Sequence, residues 1–205
     1  NVWKLVEFET SLKHLDLDMF DCITINLGIF GQVKVLVINA QYQNSTNTIK
    51  KFIGYLEETY FAKIINKFDY SFKKQVVNDK KFYVLDNGFI GVLSKKLSKD
   101  DGWLLENLVF INLVKDNDVF YYDNKNECDF IVAKNRKVTS AIQVCYDLND
   151  RNKEREISGI ADAMEKFKLK EGLILTNNQE EEIKIESKKI IVKPVWKWLL
   201  EEKNK

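Results

Sequence analysis

The chain has 205 residues, of which 45% are hydrophobic and 31% are charged, and its formal net charge is +1. This length suits one large domain or two small ones, and the composition excludes a chain that is disordered throughout. The near-zero net charge also excludes nucleic-acid binding driven by overall charge, so any basic surface has to be local.

Cysteine usage and hydropathy restrict the class of protein further. The three cysteines, Cys22, Cys128 and Cys145, have no CxxC spacing and an odd count, which argues against a disulfide framework or a zinc knuckle. No apolar run approaches the roughly 18 residues that span a membrane. The single histidine, His14, is expected on the surface rather than at a ligand site. These features predict a cytoplasmic protein without a membrane partner.

The first forty residues give a mixed pattern. Apolar residues in VWKLVEFETSLKHLDLDMF recur at helical spacing, whereas KVLVINA at 34–40 is typical of a strand. We expect this stretch to belong to a first domain that ends at residue 82.

A helix followed by a basic hairpin is predicted over residues 44–85. Ser45 and Thr46 are candidate N-caps, and the apolar residues after them recur at helical intervals. Two strand-like runs then flank DYSFKK at 69–74, and eight lysines against four acidic residues occur between 44 and 81. A winged helix-turn-helix uses such a unit to bind DNA, with the helix in the major groove and the wing lysines on phosphates. The alternative is a solvated helix and hairpin that pack on the next domain.

Residues 83–205 are predicted to form an α/β domain with a mixed sheet. The predicted elements, in order, are a helix at 101–115, a hairpin of DVFYY and CDFIVA, a strand in KVTSAIQVCYDL, an amphipathic helix capped by Asn149 or Asp150, the strands GLILT and KIIVKP, and a helix in VWKWLLEE. Strand, helix and strand in this order imply a parallel crossover, and the preceding hairpin adds an antiparallel pair.

Polar residues interrupt the apolar pattern at a few positions of this domain. Glu106 lies on the apolar stripe of its helix, and a buried carboxylate needs a partner or a metal because an unpaired buried charge is costly. Strict alternation puts Asp129 on the face opposite Cys128, and it puts Gln143 with Cys145 on one face of the next strand. If these strands are neighbours, Asp129, Gln143 and Cys145 converge, and Glu106 can approach from the covering helix.

Such a cluster would suit a hard metal ion. Two carboxylates and a carboxamide oxygen, from Glu106, Asp129 and Gln143, are ligands for Mg²⁺ or Mn²⁺ rather than for zinc. In metal-dependent DNA cleavage the ion lowers the pKa of a bound water, and a lysine two residues beyond the third ligand stabilises the developing charge. Cys145 stands at that position, and a thiol that is neutral near pH 7 cannot supply a fixed positive charge.

Each of these residues also has a purely structural interpretation. Glu106 can cap a helix or pair with an arginine such as Arg151 or Arg155, and Asp129 can begin a strand beside a turn. Gln143 can bond to the backbone at a sheet edge, and Cys145 can simply pack in the core as a small, mildly apolar side chain.

A set of motifs occurs in a fixed order along the chain: KKFYVLDNGFIG, GWLLENLVFINLV, DVFYYDNKNECDFIV, AIQVCYDLND, EREI and PVWKWLL. This order resembles the C-terminal region of the AAA+ ATPases that are abundant in archaea, with relatives in bacteria. In that family an ATPase domain is followed by a winged helix and a PD-(D/E)xK nuclease-like domain, and the resemblance covers residues 44–201. It implies a winged-helix-like domain at 1–82 and a nuclease-like domain at 83–205.

The resemblance also implies roles for individual residues. Glu106 matches the helix acid of the nuclease-like fold, and Asp129 matches the PD aspartate, although Cys128 stands where proline is expected. Gln143 takes the D/E position and Cys145 takes the K position, so two of the four positions depart from an intact site. The resemblance therefore implies a degenerate catalytic site. No GxxxxGK[ST] sequence occurs, so no nucleotide is expected to bind this chain by the family's route.

Three functions remain open from the sequence. The first is a DNA-binding accessory region of an AAA+ ATPase, in cis or in trans, which binds double-stranded DNA with low sequence specificity and carries an inactive nuclease-like domain. The second is an active Mg²⁺- or Mn²⁺-dependent DNA nuclease in which a displaced lysine, Lys134 or Lys153, replaces the missing one. The third is a protein-interaction module with an apolar surface around Trp196 and Trp198. The candidate DNA-binding residues are Thr46, Lys50, Lys51, Lys73 and Lys74.

Overall fold

The structure, a computed structural model, describes residues 5–7, 23–27, 33–37, 46–88 and 101–202. Two compact units make up the chain: Asn1–Ile64 with Lys81–Lys99, and Ile65–Lys80 with Asp100–Lys205. The fold is mixed α/β, as the sequence predicts. None of the helices within the described ranges has the length and apolar character that a membrane-spanning segment needs.

Three strands of the first unit form an antiparallel sheet in the order β1-β2-β3. They are β1 (Leu5–Glu7), β2 (Ile23–Leu27) and β3 (Val33–Val37). β3 confirms the strand predicted in KVLVINA. The helical spacing noted near the start of the chain is wrong for β1, because these three residues pair with β2 as a strand. The rest of that stretch, with His14, lies outside the described residues.

The helix and the strand pair predicted after residue 44 are both present. Their elements are α1 (Thr46–Glu58), β4 (Ala62–Asn66), α2 (Phe72–Val77) and β5 (Lys80–Val84), and β4 pairs with β5 in a two-stranded sheet. The connection between the two strands contains the short helix α2 instead of a simple turn. The expected domain boundary after residue 82 falls inside β5.

A six-stranded mixed sheet forms the centre of the second unit, in the order β10-β11-β9-β8-β7-β6. The elements are α3 (Asp101–Leu113), β6 (Asp118–Asp123), β7 (Glu127–Lys134), β8 (Lys137–Val144), α4 (Lys153–Phe167), β9 (Glu171–Thr176), β10 (Glu181–Ile185), β11 (Lys188–Pro194) and α5 (Val195–Glu202). β9 pairs in parallel with both β8 and β11, and the other neighbours are antiparallel. The sequence predicts each of these elements except β10, an edge strand rich in charged residues.

Helices α3 and α4 cover opposite faces of this sheet. On one face the ring of Phe110 from α3 stacks on Phe130 of β7, with centroids 6.3 Å apart. On the other face Ile160 and Met164 of α4 share a buried cluster with Ile131 of β7. Because neighbouring strand residues point to opposite faces, these contacts define the two helical layers.

A β-bulge interrupts the pairing of β6 with β7. Phe120 pairs with Ile131 and Tyr122 pairs with Cys128, so three steps along β7 match two steps along β6. β7 therefore carries one extra residue between Cys128 and Ile131, and both of these residues join the cluster beneath α4. The strict alternation predicted for this strand is wrong at the bulge, which contains Asp129. Bulges re-aim side chains and are frequent beside functional sites.

Candidate functional site

Asp129 and Gln143 meet at the open end of the β7–β8 hairpin, away from its turn. The backbone N–H of Asp129 donates to Oε1 of Gln143 at 3.2 Å, and the backbone N–H of Val144 donates to Oδ2 of Asp129 at 2.9 Å. Both side chains are buried. Each one thus satisfies a backbone donor of the neighbouring strand, which fixes both side chains where the bulge disturbs the ladder.

The other end of the Gln143 amide contacts a buried carboxylate from helix α4. Nε2 of Gln143 donates to Oε2 of Glu156 at 2.7 Å, and the Glu156 residue is only 3% exposed. Arg155 donates from Nε to Oε1 of the same carboxylate at 3.1 Å, and its terminal nitrogen forms an ion pair with that oxygen. We call Asp129, Gln143, Arg155 and Glu156 the Gln143 network. Hydrogen bonds link the solvent-exposed guanidinium of Arg155, through the side chains of Glu156 and Gln143, to the backbone N–H of Asp129 in the bulge.

Gly159 allows α4 to approach β7 closely enough for Glu156 to contact Gln143. A Cβ atom at that position would lie 2.1 Å from the backbone oxygen of Glu127 and 3.7 Å from Oε1 of Gln143. Only a residue without a side chain fits there, because real Cβ atoms do not approach backbone oxygens so closely. Glu156, about one turn earlier, is thereby held against the amide.

Cys145 is a neutral thiol in a polar corner beside the network. It is buried, its Sγ donates to the backbone oxygen of Asp147 at 3.3 Å, and it accepts from Nδ2 of Asn152 at 3.4 Å. The pKa of Cys145 is raised from 9.0 to about 11, first by burial and next by the charge of Glu156, with a smaller contribution from the charge of Asp129. The thiol is therefore protonated and uncharged at neutral pH.

The loop between β8 and α4 is held by a side chain from the loop between β9 and β10. Nε2 and Oε1 of Gln179 bond the backbone oxygen and N–H of Leu148 at 2.8 and 2.6 Å. The expected caps Asn149 and Asp150 are wrong, since Asn152 precedes the first helical residue of α4. Asn149 contributes its backbone oxygen, which accepts the N–H of Lys153 at 2.8 Å.

Glu106 lies on the helix that covers the face of the sheet opposite to Gln143. It is buried on α3, whose Phe110 covers the Phe130 face, whereas Gln143 faces α4. The structure thus brings Asp129, Gln143 and Cys145 close together, and it places Glu106 in the opposite helical layer.

The two lysines considered as replacements lie elsewhere. Lys134 ends β7 opposite Lys137, five residues from Asp129, which corresponds to about 17 Å along a strand. Nζ of Lys153 bonds Oε1 of Glu181 on β10 at 2.7 Å. The cation near Cys145 is instead Arg155, whose charge acts to lower the thiol pKa.

These contacts suit a metal ion poorly. The Gln143 oxygen already accepts a backbone N–H, and one oxygen of Asp129 accepts another. Across the residues that the structure describes, no group of three or more His, Cys, Asp or Glu side chains is arranged to hold a metal ion. Mg²⁺ or Mn²⁺ binding by Glu106, Asp129 and Gln143 remains a prediction for a metal titration to test.

The candidate DNA-binding residues are divided between the two units. Thr46, Lys50 and Lys51 lie on α1 in the first unit, where Lys51 is exposed and the side chains of the other two lie outside the described structure. Lys73 and Lys74 lie exposed on α2 in the second unit.

Sequence reasoning missed Glu156 as a member of the site, although a signal for it exists. Glu156 lies four, seven and eight residues before Ile160, Ala163 and Met164, which form the buried stripe of α4. A carboxylate on an apolar helical stripe is the same signal that singled out Glu106.

Similarity to known proteins gives a family match but no activity. Residues 17–100 match the DUF8612 family, which is described as a domain of unknown function. That match ends just before α3, so it excludes the Gln143 network. A protein of Methanocaldococcus jannaschii, Uncharacterized protein MJ1544, is 36% identical over 168 residues, covering 76% of this chain and 37% of the relative. The chain therefore spans little more than a third of that relative's length. No solved structure matches the chain.

Proposed function

We propose that the chain is a DNA-binding accessory region of an AAA+ ATPase whose nuclease-like second unit does not cleave DNA. The observation that carries this proposal is the engagement of Gln143 at both ends, by the N–H of Asp129 and by the carboxylate of Glu156. A metal ion at Oε1 of Gln143 would compete with the hydrogen bond that this oxygen accepts from the N–H of Asp129. The neighbouring Cys145 thiol, neutral at pH 7, cannot stabilise developing negative charge.

Exposed lysines support the DNA-binding part of the proposal. Lys51, Lys73 and Lys74 are exposed to solvent, whereas Lys67 is half-buried and pairs with Asp123 at 3.3 Å. Flexible ammonium groups on short surface segments bind phosphates without reading bases. We therefore propose double-stranded DNA, with low sequence specificity, as the partner.

An ATPase domain, in cis or in trans, is the second proposed partner. The chain has no GxxxxGK[ST] sequence of its own, so ATP hydrolysis would have to be supplied by another domain. The relative MJ1544 leaves most of its own length outside the match, which is enough for such a domain. We place this assembly in the cytoplasm.

A cleavage assay tests the catalytic part of the proposal. Supercoiled plasmid and branched DNA are incubated with micromolar protein and Mn²⁺ or Mg²⁺, beside the Asp129→Ala variant. We expect neither protein to cut either substrate. Cleavage by the native protein that disappears in Asp129→Ala would overturn the proposal in favour of an active metal-dependent nuclease.

Fluorescence anisotropy with a labelled duplex tests the binding part. We expect the affinity to fall steeply as salt rises from about 50 to 200 mM, since the bound lysines release counterions from the DNA. Different duplex sequences of equal length should bind alike. Binding that is absent or insensitive to salt contradicts this part of the proposal.

A protein-interaction module is the second candidate function, and helix α5 favours it. Trp198 is buried, so it belongs to the core, but Trp196 and Leu200 are exposed one turn apart. An exposed apolar stripe of this kind commonly marks a protein contact. Stable oligomers in light scattering together with absent DNA binding would favour this candidate, and a monomer that binds duplex DNA would exclude it.

A further inference from the structure

An aromatic and basic surface occupies the segment between β4 and β5 in the second unit. Tyr70 and Phe72 are 76% and 78% exposed, and Lys73 and Lys74 follow directly on α2 with exposed side chains. We call these four residues the aromatic–lysine surface. Two large rings and two cations within five residues give an arrangement that burial in the core does not explain.

The Tyr70 ring is held in place although it is exposed. Its edge contacts the ring of Phe68, with centroids 5.2 Å apart and planes at 86°. Phe68 in turn packs against Phe120 and Phe167, at centroid distances of 5.3 and 4.9 Å. The ring is therefore anchored to the sheet and to α4 through Phe68. Ordering this ring at a ligand would cost little additional entropy.

The backbone of the segment is also fixed. The N–H of Ser71 donates to Oδ1 of Asp69 at 2.8 Å, and Nε2 of Gln75 donates to the backbone oxygen of Asp69 at 2.5 Å. Nζ of Lys80 donates to the backbone oxygen of Val76 at 3.1 Å, at the end of α2. Both ends of the segment are thus tied to side chains, and the rings and lysines project from a rigid support.

We propose that the aromatic–lysine surface binds unpaired nucleotides, with bases stacking on Tyr70 and Phe72 and phosphates contacting Lys73 and Lys74. Every base offers a planar face, so such stacking accepts any sequence, and adjacent lysines complement the backbone charge. The inference rests on the proposed DNA-binding function and deepens it, because it names single-stranded regions of DNA as the ligand of this surface.

Charge and ring geometry favour nucleic acid over a protein partner here. Val76 and Val77 on the same helix are exposed and would suit an apolar protein contact. However, the Tyr70 ring, which packs on Phe68, and the two lysines precede them. Lys74 forms a long ion pair with Asp69, with 3.8 Å between Nζ and Oδ2. An ion pair that long is weak when the lysine side chain is 68% exposed, so Lys74 remains able to contact a phosphate.

Anisotropy with a labelled twelve-nucleotide oligothymidine and with a duplex of equal length tests the proposal. We expect Tyr70→Leu and Phe72→Leu each to weaken oligothymidine binding by about 5- to 100-fold, the range of one lost base stack. Duplex binding should change by less than about twofold, because paired bases do not reach the rings. Trp196→Leu, an exposed aromatic on α5, is the matched control and should change neither affinity.

The possible outcomes separate this inference from the proposed function. Unchanged oligothymidine affinity in both ring variants overturns the inference, and retained duplex binding then leaves the proposed function intact. Equal losses for oligothymidine and duplex also overturn it, since stacking on unpaired bases predicts a selective loss. If the ring variants instead reduce self-association in light scattering, the surface is a protein contact.

Selective loss of oligothymidine binding supports the inference even if the duplex does not bind, and it then revises only the duplex part of the proposed function. Circular dichroism verifies that each variant is folded.

Discussion

Gln143 is matched to the buried carboxylate that it faces. Its Nε2 donates to Oε2 of Glu156 at 2.7 Å, whereas a glutamate at 143 would bring two carboxylates together. Arg155 and Glu156 also supply, from helix α4, a pair of opposite charges. The glutamine is therefore part of a complementary set rather than an isolated departure.

Exchanging the amide and the carboxylate tests this complementarity. Gln143→Glu alone should lower the free energy of unfolding by about 2–3 kcal/mol at pH 7, because it replaces a charge-assisted hydrogen bond by contact between two buried carboxylates. Adding Glu156→Gln should restore much of the loss, since one amide again faces one carboxylate. Urea unfolding of the native protein, both single variants and the double variant measures the coupling.

The control for this cycle is Glu154→Gln, which alters an exposed carboxylate on the same turn of α4. Its free energy of unfolding should stay within about 0.5 kcal/mol of the native value. A double variant whose destabilisation equals the sum of the single effects would show that Gln143 and Glu156 do not depend on each other.

The thiol of Cys145 should react slowly with alkylating reagents. Its pKa of about 11, against the ordinary 9.0, means that at pH 8 its thiolate fraction is about 100-fold smaller than that of an ordinary thiol. Glu156→Gln should accelerate the reaction, because the charge of Glu156 raises the thiol pKa. Mass spectrometry of the Cys145 peptide after iodoacetamide treatment from pH 7 to 10 measures both effects. Rapid alkylation at pH 8 in the native protein would contradict the raised pKa.

At the scale of elements, sequence periodicity predicted much of the fold. The helix α3, the hairpin β6–β7 that contains Asp129, and the strand, helix and strand after it are confirmed, because each has an apolar pattern of its own. β2 and the edge strand β10 were missed; β10 lacks a continuous apolar face. The bulge in β7 could not be predicted, since register arises from pairing with β6 and not from the strand's own sequence.

The candidate site, like the fold, could be predicted from the sequence only in part. The pairing of Asp129 with Gln143 follows from adjacent strands, and their hydrogen bonds are present. The closing contact from Glu156 depends on how closely α4 packs, which is a tertiary property that Gly159 controls. A single glycine in a helix gives no local signal of the backbone oxygen that it meets.

Two glycine substitutions test the close packing of α4. Gly159→Ala should destabilise the protein by about 1–3 kcal/mol despite the better helix propensity of alanine, because its Cβ would meet the Glu127 oxygen at 2.1 Å. Gly54→Ala on α1, where a Cβ meets nothing within 4 Å, should instead stabilise by up to about 1 kcal/mol. Thermal unfolding of both variants measures these opposite signs. A neutral Gly159→Ala would mean that α4 does not lie this close to β7.

At the scale of the whole molecule, the nearly balanced charge limits how DNA can be attracted. A net charge of +1 gives little long-range attraction, so binding has to come from lysines that are available locally. Many surface lysines of the second unit are already engaged. Nζ of Lys189 lies 2.8 Å from Oε2 of Glu171, and Nζ of Lys193 lies 2.6 Å from Oε2 of Glu201.

Two matched pairs of lysine substitutions separate local from overall charge. Lys73→Gln with Lys74→Gln, and Lys189→Gln with Lys193→Gln, each lower the formal net charge from +1 to −1. The first pair should reduce the slope of log affinity against log salt for a duplex by up to about 1.8, at about 0.9 for each lost phosphate contact. The second pair should leave the slope nearly unchanged, because its ammonium groups are held by carboxylates. Equal slopes for the two double variants would mean that overall charge, and not the lysines of α2, controls DNA binding.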